Sequence, residues 1–369
     1  MKIGIDVRND RAGVGRYTLS LIRALAEIDH ENEYVLFLNR DRLATHTPPG
    51  PNFRAVEAEI PWFTLREQLA LPRLVARERL DLMHYPHLTV PLRTRTPFVV
   101  TVHDLNYLDG GVIFAPRGGR SRVRRAALLA GYRVELAKAR SARRLIAVSE
   151  HTREALVRAL RIEPARVAVT YEAADPPGAV DPDETVLTRR GLDAPYYLYV
   201  GAAYPYKNLD RLIDAFASAD GEHKLVLAGD HEDFGPALRQ RAAAAGVADR
   251  VVFPGRVSEA ELAALYGNAL AYVFVSFSEG FGLPGLEAMR FGVPVVAARA
   301  GSLPEVYGDA AMYCDPHDVD SIAEALTAIA SDERLRAQLV AEGHRRAERF
   351  SWSRTAAQTL AVYREAVLH

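Results

Sequence analysis

The chain has 369 residues, of which 49% are hydrophobic and 25% charged, with a formal net charge of −1. This length suits two globular domains better than one core. Its single cysteine, Cys314, excludes an internal disulfide, and no apolar run approaches the roughly 18 residues that a membrane span needs. The first residues resemble a strand rather than a signal peptide, so we expect a cytoplasmic protein.

Charge is distributed unevenly along the chain. Residues 1–173 contain 28 Lys and Arg against 19 Asp and Glu, whereas the remainder contains 18 against 28. A basic half can attract an acidic half, an anionic acceptor or a membrane surface. Only four of the 46 basic residues are lysine, so a general bias toward arginine explains the asymmetry equally well. Nothing else in the sequence supports binding to nucleic acid.

Strand-like and helix-like patterns alternate through the first half. The strand-like runs are 1–7, 34–38, 80–84, 97–102, 145–148 and 167–169. This alternation predicts a doubly wound parallel sheet, whose ligands bind beyond the carboxyl ends of the strands. His103 and Asp104 follow one such strand and are therefore candidate site residues, although a lone histidine is often structural.

Two glycines follow the first strand and open a helix. Gly13 and Gly15 match only part of G-x-G-x-x-G, because Thr18 occupies the third glycine position and no acid with a clear ribose role follows. This disfavours a nicotinamide-dependent oxidoreductase. Without a ligand, the two glycines are explained by a tight turn.

A basic, glycine-containing run, Arg117–Arg125, precedes a helix with an apolar side. It could bind the phosphate of a lipid-linked ligand or make peripheral contact with the anionic inner face of the cytoplasmic membrane. The alternative is a solvated loop before an ordinary packed helix.

The second half begins after the acid- and proline-rich stretch 172–183, which predicts a linker. A strand at 196–200 is followed by a helix with Lys207 at its start. The helix dipole favours acids there, so an anionic ligand would explain the lysine. Further strand-loop units lie at 224–230 and 251–257.

The most informative segment starts with the apolar run 272–277 and continues through glycines and Pro284 into a helix. Free N–H groups and the positive end of the dipole at a helix start favour an anion such as phosphate. Glu279 and Glu287 would flank it, and carboxylates accept hydrogen bonds from sugar hydroxyls. The combination predicts a nucleotide sugar site, whereas two solvated glutamates would leave the glycines and the proline unexplained.

With Gly-Phe-Gly-Leu-Pro between its two acids, Glu279–Glu287 resembles the E-x7-E signature of retaining glycosyltransferases of family 4. The similarity extends through 292–296 and 303–306 and covers essentially the whole chain. It implies the α/β GT-B fold, with two doubly wound Rossmann-like domains facing across a cleft and a C-terminal helix returning to the first. The expected segments are an acceptor-binding domain at 1–173, a linker at 174–190, a nucleotide-sugar-binding domain at 191–350 and the helix at 351–369.

The resemblance also implies a metal-independent, retaining transfer of a hexose from a nucleotide diphosphate sugar to a glycan or lipid-linked acceptor, without a cofactor. Its catalytic residues would be His103 near the reacting carbon, Lys207 at the leaving phosphate and Glu279 on the sugar hydroxyls, with Glu287 on the ribose. The donor-binding set is Gly13, Gly15, Lys207, Arg256, Val257, Glu279, Phe281, Gly282, Leu283 and Glu287.

One departure from the family pattern concerns the arginine that usually accompanies the lysine. Ala202 and Tyr206 occupy its two possible places, so Arg256 or Arg16 would have to supply the charge. GDP-mannose and a UDP-hexose remain open as donors, with an acceptor in a bacterial cell-surface glycan or glycolipid.

Alternative functions on the same fold are a phosphorylase, a sugar-phosphate synthase and a non-catalytic nucleotide-sugar-binding protein. Two D-x-D matches, Asp181 with Asp183 and Asp318 with Asp320, lie in the linker and in the first turn of a helix expected to start near residue 315. Acids are expected at a helix start for dipole reasons, and we assign neither pair a metal.

Overall fold

The computed structural model describes residues 1–9, 12–62, 64–106, 122–175, 180–192, 195–231 and 233–368. These residues form two compact units. The first comprises the described parts of Met1–Leu105 and Arg122–Glu172 together with the C-terminal segment from Ser351, and the second is chiefly Ala173–Phe350. Among the described residues, no helix has the length and apolar character needed to cross a bilayer.

The first unit is a seven-stranded parallel sheet with helices. Its strands are β1 (Lys2–Asp6), β2 (Glu33–Leu38), β3 (Phe53–Glu57), β4 (Leu82–Tyr85), β5 (Phe98–Val102), β6 (Arg144–Ala147) and β7 (Val167–Val169). Its helices are α1 (Ala12–Ile28), α2 (Arg40–Thr45), α3 (Leu65–Arg77), α4 (Arg122–Ala139), α5 (Glu150–Leu160) and, at the end of the chain, α14 (Trp352–Leu368). The order β3-β2-β1-β4-β5-β6-β7 places the topological switch between β1 and β4.

The second unit repeats the architecture with six parallel strands. They are β8 (Tyr196–Val200), β9 (Lys224–Ala228), β10 (Val251–Gly255), β11 (Ala271–Phe274), β12 (Val295–Ala298) and β13 (Ala311–Cys314). The helices are α6 (Thr185–Arg189), α7 (Leu209–Ser218), α8 (Gly235–Ala244), α9 (Glu259–Gly267), α10 (Leu283–Arg290), α11 (Leu303–Tyr307), α12 (Val319–Ser331) and α13 (Glu333–Ala347). The order β10-β9-β8-β11-β12-β13 places the switch between β8 and β11. The predicted pair of doubly wound parallel sheets is confirmed.

The C-terminal helix α14 belongs to the first unit. Its buried side chains Ala356, Leu360 and Tyr363 join the core formed by β1 and α1. The Tyr363 hydroxyl lies 2.7 Å from Nδ1 of His84 on β4. His84 Nε2 lies 2.8 Å from Oγ1 of Thr101 on β5, so this buried histidine ties α14 to two strands.

Besides β3, which the strand-like runs did not include, three local elements differ from the sequence expectations. The stretch 174–190 contains α6, and Val186 on it is fully buried. Asp183 N–H donates to the Ala260 carbonyl at 3.0 Å, so this part of the expected linker packs on the second unit. The helix expected near residue 315 begins at Val319, because the Asp318 side chain caps it by accepting from Asp320 N–H.

The third difference is the end of β11, which stops at Phe274 although the apolar run continues to Phe277. Its neighbour β12 is only four residues long, and the last pair joins Phe274 to Ala297. Beyond it, the Asn208 side chain donates to the Val275 carbonyl at 3.0 Å, and Phe277 N–H donates to the Tyr206 carbonyl at 2.8 Å. Contacts with the loop after β8 therefore replace the sheet ladder.

Candidate active site

The loops after β8 and β11 meet at the switch of the second sheet and bring two predicted site residues together. Lys207 ends a 3₁₀ turn, Pro205–Lys207, and Glu279 lies five residues beyond β11. Lys207 Nζ lies 2.7 Å from Oε1 of Glu279, and both side chains are largely buried. The ammonium also lies over the rings of Tyr206, at 4.7 Å, and Phe274, at 5.0 Å.

This ion pair gives a second explanation for the position of Lys207. The sequence predicted that a bound anion compensates the lysine at the helix start, whereas here Glu279 supplies a negative charge. Asn208, with φ 62°, separates the 3₁₀ turn from α7, and its side chain donates to Val275 and Pro316 carbonyls. Breaking a buried pair by removing one partner is costly, so each charge stabilises the other in this position.

The backbone around Glu279 is held by the loop that follows β12. Ser302 N–H and hydroxyl both donate to the Glu279 carbonyl, at 3.2 and 3.0 Å. Gly301 has φ 58°, and a Cβ there would lie 2.8 Å from Glu279 N. The close approach requires glycine, and it fixes the direction in which Glu279 leaves the loop.

The turn from Gly280 to Leu283 is buried and leads into α10. Gly282 precedes the helix with φ 98°, and Leu283 and Pro284 occupy its first turn. The Tyr307 hydroxyl donates to the Gly282 carbonyl at 2.6 Å, and a Cβ on Gly285 would lie 2.2 Å from that hydroxyl oxygen. Tyr307 beneath the turn therefore explains two of the glycines. Phe281 is 4% exposed and packs edge-on against Phe350.

Glu287 lies one turn into α10, half-buried, with a different partner from Glu279. The Tyr266 hydroxyl lies 3.2 Å from both Glu287 Oε2 and the Pro284 carbonyl, so its one proton can be donated to either. Tyr266 itself is buried and stacks on Phe291 with ring centroids 5.3 Å apart. Tyr266 lies on α9, outside the E-x7-E motif, so the motif gives no signal for it.

Arg256 follows β10, and β9 lies between β10 and β8 in the sheet. The Arg256 guanidinium pairs with the Asp230 carboxylate at 2.6 Å. Its side chain is 76% exposed, and the adjacent Val257 is half-buried. The structure thus places Arg256 at the carboxyl edge of the sheet, as expected, but its ion pair is with Asp230. Arg16, the other residue considered, lies exposed on α1 of the first unit.

In the first unit, His103 follows β5 and has partners for both ring nitrogens. Nδ1 lies 2.8 Å from the Glu172 carboxylate, and Nε2 lies 3.0 Å from the Pro86 carbonyl. A carbonyl only accepts, so Nε2 carries a proton, and the carboxylate favours a second proton on Nδ1. Burial lowers the pKa of His103, but the hydrogen bond and charge of Glu172 outweigh it, so the pKa is raised. The structure therefore favours the imidazolium.

Glu172 was interpreted from the sequence only as the start of the linker. Its place just beyond β7 was the available signal, because strands β5, β6 and β7 are neighbours and their carboxyl ends share one edge. The Tyr17 ring packs edge-on against His103 at 4.8 Å. Glu172, rather than the adjacent Asp104, makes the hydrogen bond to the His103 ring.

Gly13 and Gly15 lie in the first turn of α1, which follows the switch strand β1. Gly13 is exposed and Gly15 is buried. A shallow pocket at this switch is lined by residues including Asp6, Trp62 and His87. Of the basic run Arg117–Arg125, residues 117–121 lie outside the described part of the chain, and Arg122–Arg125 begin α4.

Comparison with known proteins assigns the chain to a family. It matches the model described as Glycosyltransferase Family 4 over residues 11–176 and that described as Glycosyl transferases group 1 over residues 188–346. O-antigen chain mannosyltransferase B of Escherichia coli is 29% identical over 375 residues, covering 95% of this chain and 96% of that protein.

Solved structures agree on the fold. Sucrose-phosphate synthase from Thermosynechococcus elongatus superposes with a TM-score of 0.75 at 21% identity, covering 99% of this chain and 98% of that one. Anabaena Alr3699/HepE in complex with UDP-glucose gives 0.76 at 20% identity, covering 99% of each chain. The chain therefore belongs to the family 4 glycosyltransferases and has the GT-B fold.

Proposed function

We propose that this glycosyltransferase transfers a hexose from a nucleotide diphosphate sugar to a glycan or lipid-linked acceptor, with retention at the anomeric carbon. The observation that carries the proposal is the buried Lys207–Glu279 ion pair at the β8–β11 switch, directly before the glycine turn and α10. An ammonium, a carboxylate and a helix start at the carboxyl edge of a parallel sheet match the three parts of such a donor.

In this proposal the donor diphosphate binds at the start of α10 and competes with Glu279 for Lys207. The ammonium then neutralises charge on the departing phosphate, and the Glu279 carboxylate accepts hydrogen bonds from the sugar hydroxyls. Glu287, oriented by the Tyr266 hydroxyl, accepts from the ribose hydroxyls. Backbone groups of Phe281, Gly282 and Leu283 contact the phosphate and the sugar.

The chemical step breaks the bond from the anomeric carbon to the phosphate oxygen and forms one to the acceptor oxygen. The departing phosphate oxygen takes the acceptor proton, so no enzyme nucleophile or metal is required. The resemblance assigns His103 to the sugar. As an imidazolium with both nitrogens engaged it cannot act as a general base, and we assign it a fixed positive charge.

Among the possible donors we favour a mannose nucleotide, because a relative that matches nearly the full chain is named as a mannosyltransferase. That name and the UDP-glucose complex of a structural neighbour support a nucleotide sugar and a glycan acceptor. The proposed place of action is the cytoplasm.

The test is a thermal-shift screen of GDP-mannose, UDP-glucose and UDP-galactose, followed by transfer assays. A donor at 100 times its Kd should stabilise the fold by about 2.7 kcal/mol. Chelator-treated enzyme should retain turnover, and the product should keep the anomeric configuration of the donor. Inversion, a chelator-sensitive rate or dependence on inorganic phosphate as acceptor would contradict the proposal, and donor binding without turnover would indicate a non-catalytic protein.

A further inference from the structure

The outer face of α3 exposes apolar side chains that the first unit leaves uncovered. Leu65 is 84% exposed, and Leu69, one turn later, is 47% exposed. The opposite face is buried through Leu71 and Val75. Leu92 is 50% exposed, and its N–H donates to the Gln68 side chain at 2.8 Å, which brings its loop against α3. The three leucines therefore belong to one surface.

Exposed arginines lie on the same helix and loop as these leucines. Leu65, Leu69, Arg73 and Arg77 follow one another at four-residue spacing and form one row along the helix. We define the α3 surface as the three leucines together with five exposed arginines, Arg66, Arg73, Arg77, Arg93 and Arg95. None of these five side chains has a hydrogen bond or ion pair to any residue that the structure describes.

Acidic residues are nearly absent from the α3 surface. The segment 64–77 contains one acid, Glu67, which is buried and paired with Arg8, and the segment 86–97 contains none. On α4, Glu135 is half-buried, and burial together with the charge of Glu67 raises its pKa to about 7. The surface thus carries positive charge around an apolar centre.

We propose that the α3 surface docks the first unit on an anionic phospholipid membrane. Aliphatic side chains can enter the acyl boundary, while the surrounding arginines contact the headgroups. A bilayer combines one sign of charge with an apolar layer directly below it, which matches this arrangement. Nucleic acid would use the arginines but leave the leucines exposed.

The position of the α3 surface ties it to the first-sheet pocket. Trp62 lines that pocket and lies two residues before Thr64, the N-cap of α3, and Thr89 lines it three residues before Leu92. Docking would bring this switch to the bilayer surface. If the proposed function holds, the acceptor is then anchored in the membrane, but docking itself does not depend on transfer.

The probe is co-sedimentation with phosphatidylglycerol–phosphatidylcholine vesicles, compared with phosphatidylcholine alone and without any donor. Wild type should bind the anionic vesicles. The variant Leu65→Ser/Leu69→Ser/Leu92→Ser should bind at least tenfold more weakly. Arg73→Glu/Arg77→Glu should lose about 25-fold or more, since each basic residue near such a surface contributes about fivefold.

The matched control is Arg23→Glu/Arg334→Glu, which makes the same charge change on the exposed faces of α1 and α13. It should bind within twofold of wild type. Equal weakening in all three variants, or no binding by wild type, would overturn the proposal. A concentration-dependent dimer abolished by the leucine substitutions would instead assign the surface to a second copy. Stabilisation by the donor should be unchanged in every variant, because donor binding does not use the α3 surface. A loss of vesicle binding with donor stabilisation intact would therefore concern docking alone and not the proposed function.

Discussion

Each unit holds a largely buried pair of a basic and an acidic side chain at the carboxyl edge of its sheet, and the two pairs are built differently. Lys207 and Glu279 approach to 2.7 Å, and the lysine can turn its flexible ammonium to another anion. His103 and Glu172 approach to 2.8 Å, but the second ring nitrogen of His103 is fixed by the Pro86 carbonyl. The second unit thus has a charge that can change partner, whereas the first has a histidine ring that is held still.

The largest expected effect follows from removing the exchangeable charge. Lys207→Met should lower kcat about 100- to 1,000-fold, because one preorganised group at developing charge contributes about 3 kcal/mol. The variant also leaves Glu279 buried and unpaired, which lowers stability. Turnover and thermal unfolding should both be measured.

A second substitution separates these effects. Lys207→Met/Glu279→Gln should recover stability but not turnover, because the buried charge is gone while the phosphate still lacks its ammonium. Lys224→Met is the control, since Lys224 begins β9 at the opposite end of the strand. Near-normal turnover in a folded Lys207→Met protein would remove the lysine from the mechanism.

The next effect concerns the fixed charge. Glu172→Gln keeps a hydrogen-bonding side chain but removes the carboxylate that raises the pKa of His103. We expect kcat to fall about 30-fold, since a hydrogen bond to a charged group contributes about 2 kcal/mol. The pKa of His103 should fall, so the alkaline limb of the kcat–pH profile should move to lower pH. Glu172→Asp should restore part of the rate. Glu154→Gln, at an exposed position of α5, should change neither kcat nor the pH profile.

An unchanged pH profile in Glu172→Gln would show that Glu172 affects only the packing of its surroundings.

A smaller effect is the pH dependence of stability, in which His103 differs from two other histidines of the first unit. Burial lowers the pKa of His84 to about 3 and that of His87 to about 4. A neutral buried histidine stabilises the fold above its unfolded pKa of about 6.5, and this contribution is lost as pH falls toward the folded pKa. The raised pKa of His103 acts in the opposite direction: its contribution is present below about 6.5 and lost at higher pH.

His84→Gln should therefore reduce the slope of unfolding free energy with pH, between pH 6 and 5, by about 1.4 kcal/mol per pH unit. Both tryptophans, Trp62 and Trp352, lie in the first unit, so their fluorescence during urea unfolding reports on it. An unchanged slope would show that His84 does not stay neutral in the folded state.

The smallest effect concerns orientation of Glu287. Tyr266→Phe removes the hydroxyl that reaches Glu287 and should raise KM for the donor about fivefold, equivalent to a net hydrogen bond of about 1 kcal/mol, with kcat unchanged. Tyr313→Phe, which removes a hydroxyl donating to Gly308 in the same unit, is the control and should leave KM unchanged. A fall in kcat without a rise in KM would contradict a role in ground-state binding.

Most of the local structure around the two pairs could be predicted from patterns in the sequence. The alternation of strands and helices, the glycine turn and Pro284 at a helix start depend on residues within a few positions of each other, and the structure contains them. The partners in each charged pair could not be anticipated. Lys207 and Glu279 are 72 residues apart in the chain, and His103 and Glu172 are 69 apart.

The amino-acid sequence alone determined two doubly wound sheets and marked Glu279, Glu287, Lys207 and His103 as residues at the ends of strands or starts of helices. It could do so because hydrophobic period, glycine and proline act over one or two turns of chain. Only the tertiary structure decided which side chains meet. Strand order brings the loops after β8 and β11 together, and β5 near β7, and this order depends on packing of the whole sheet rather than on any local segment.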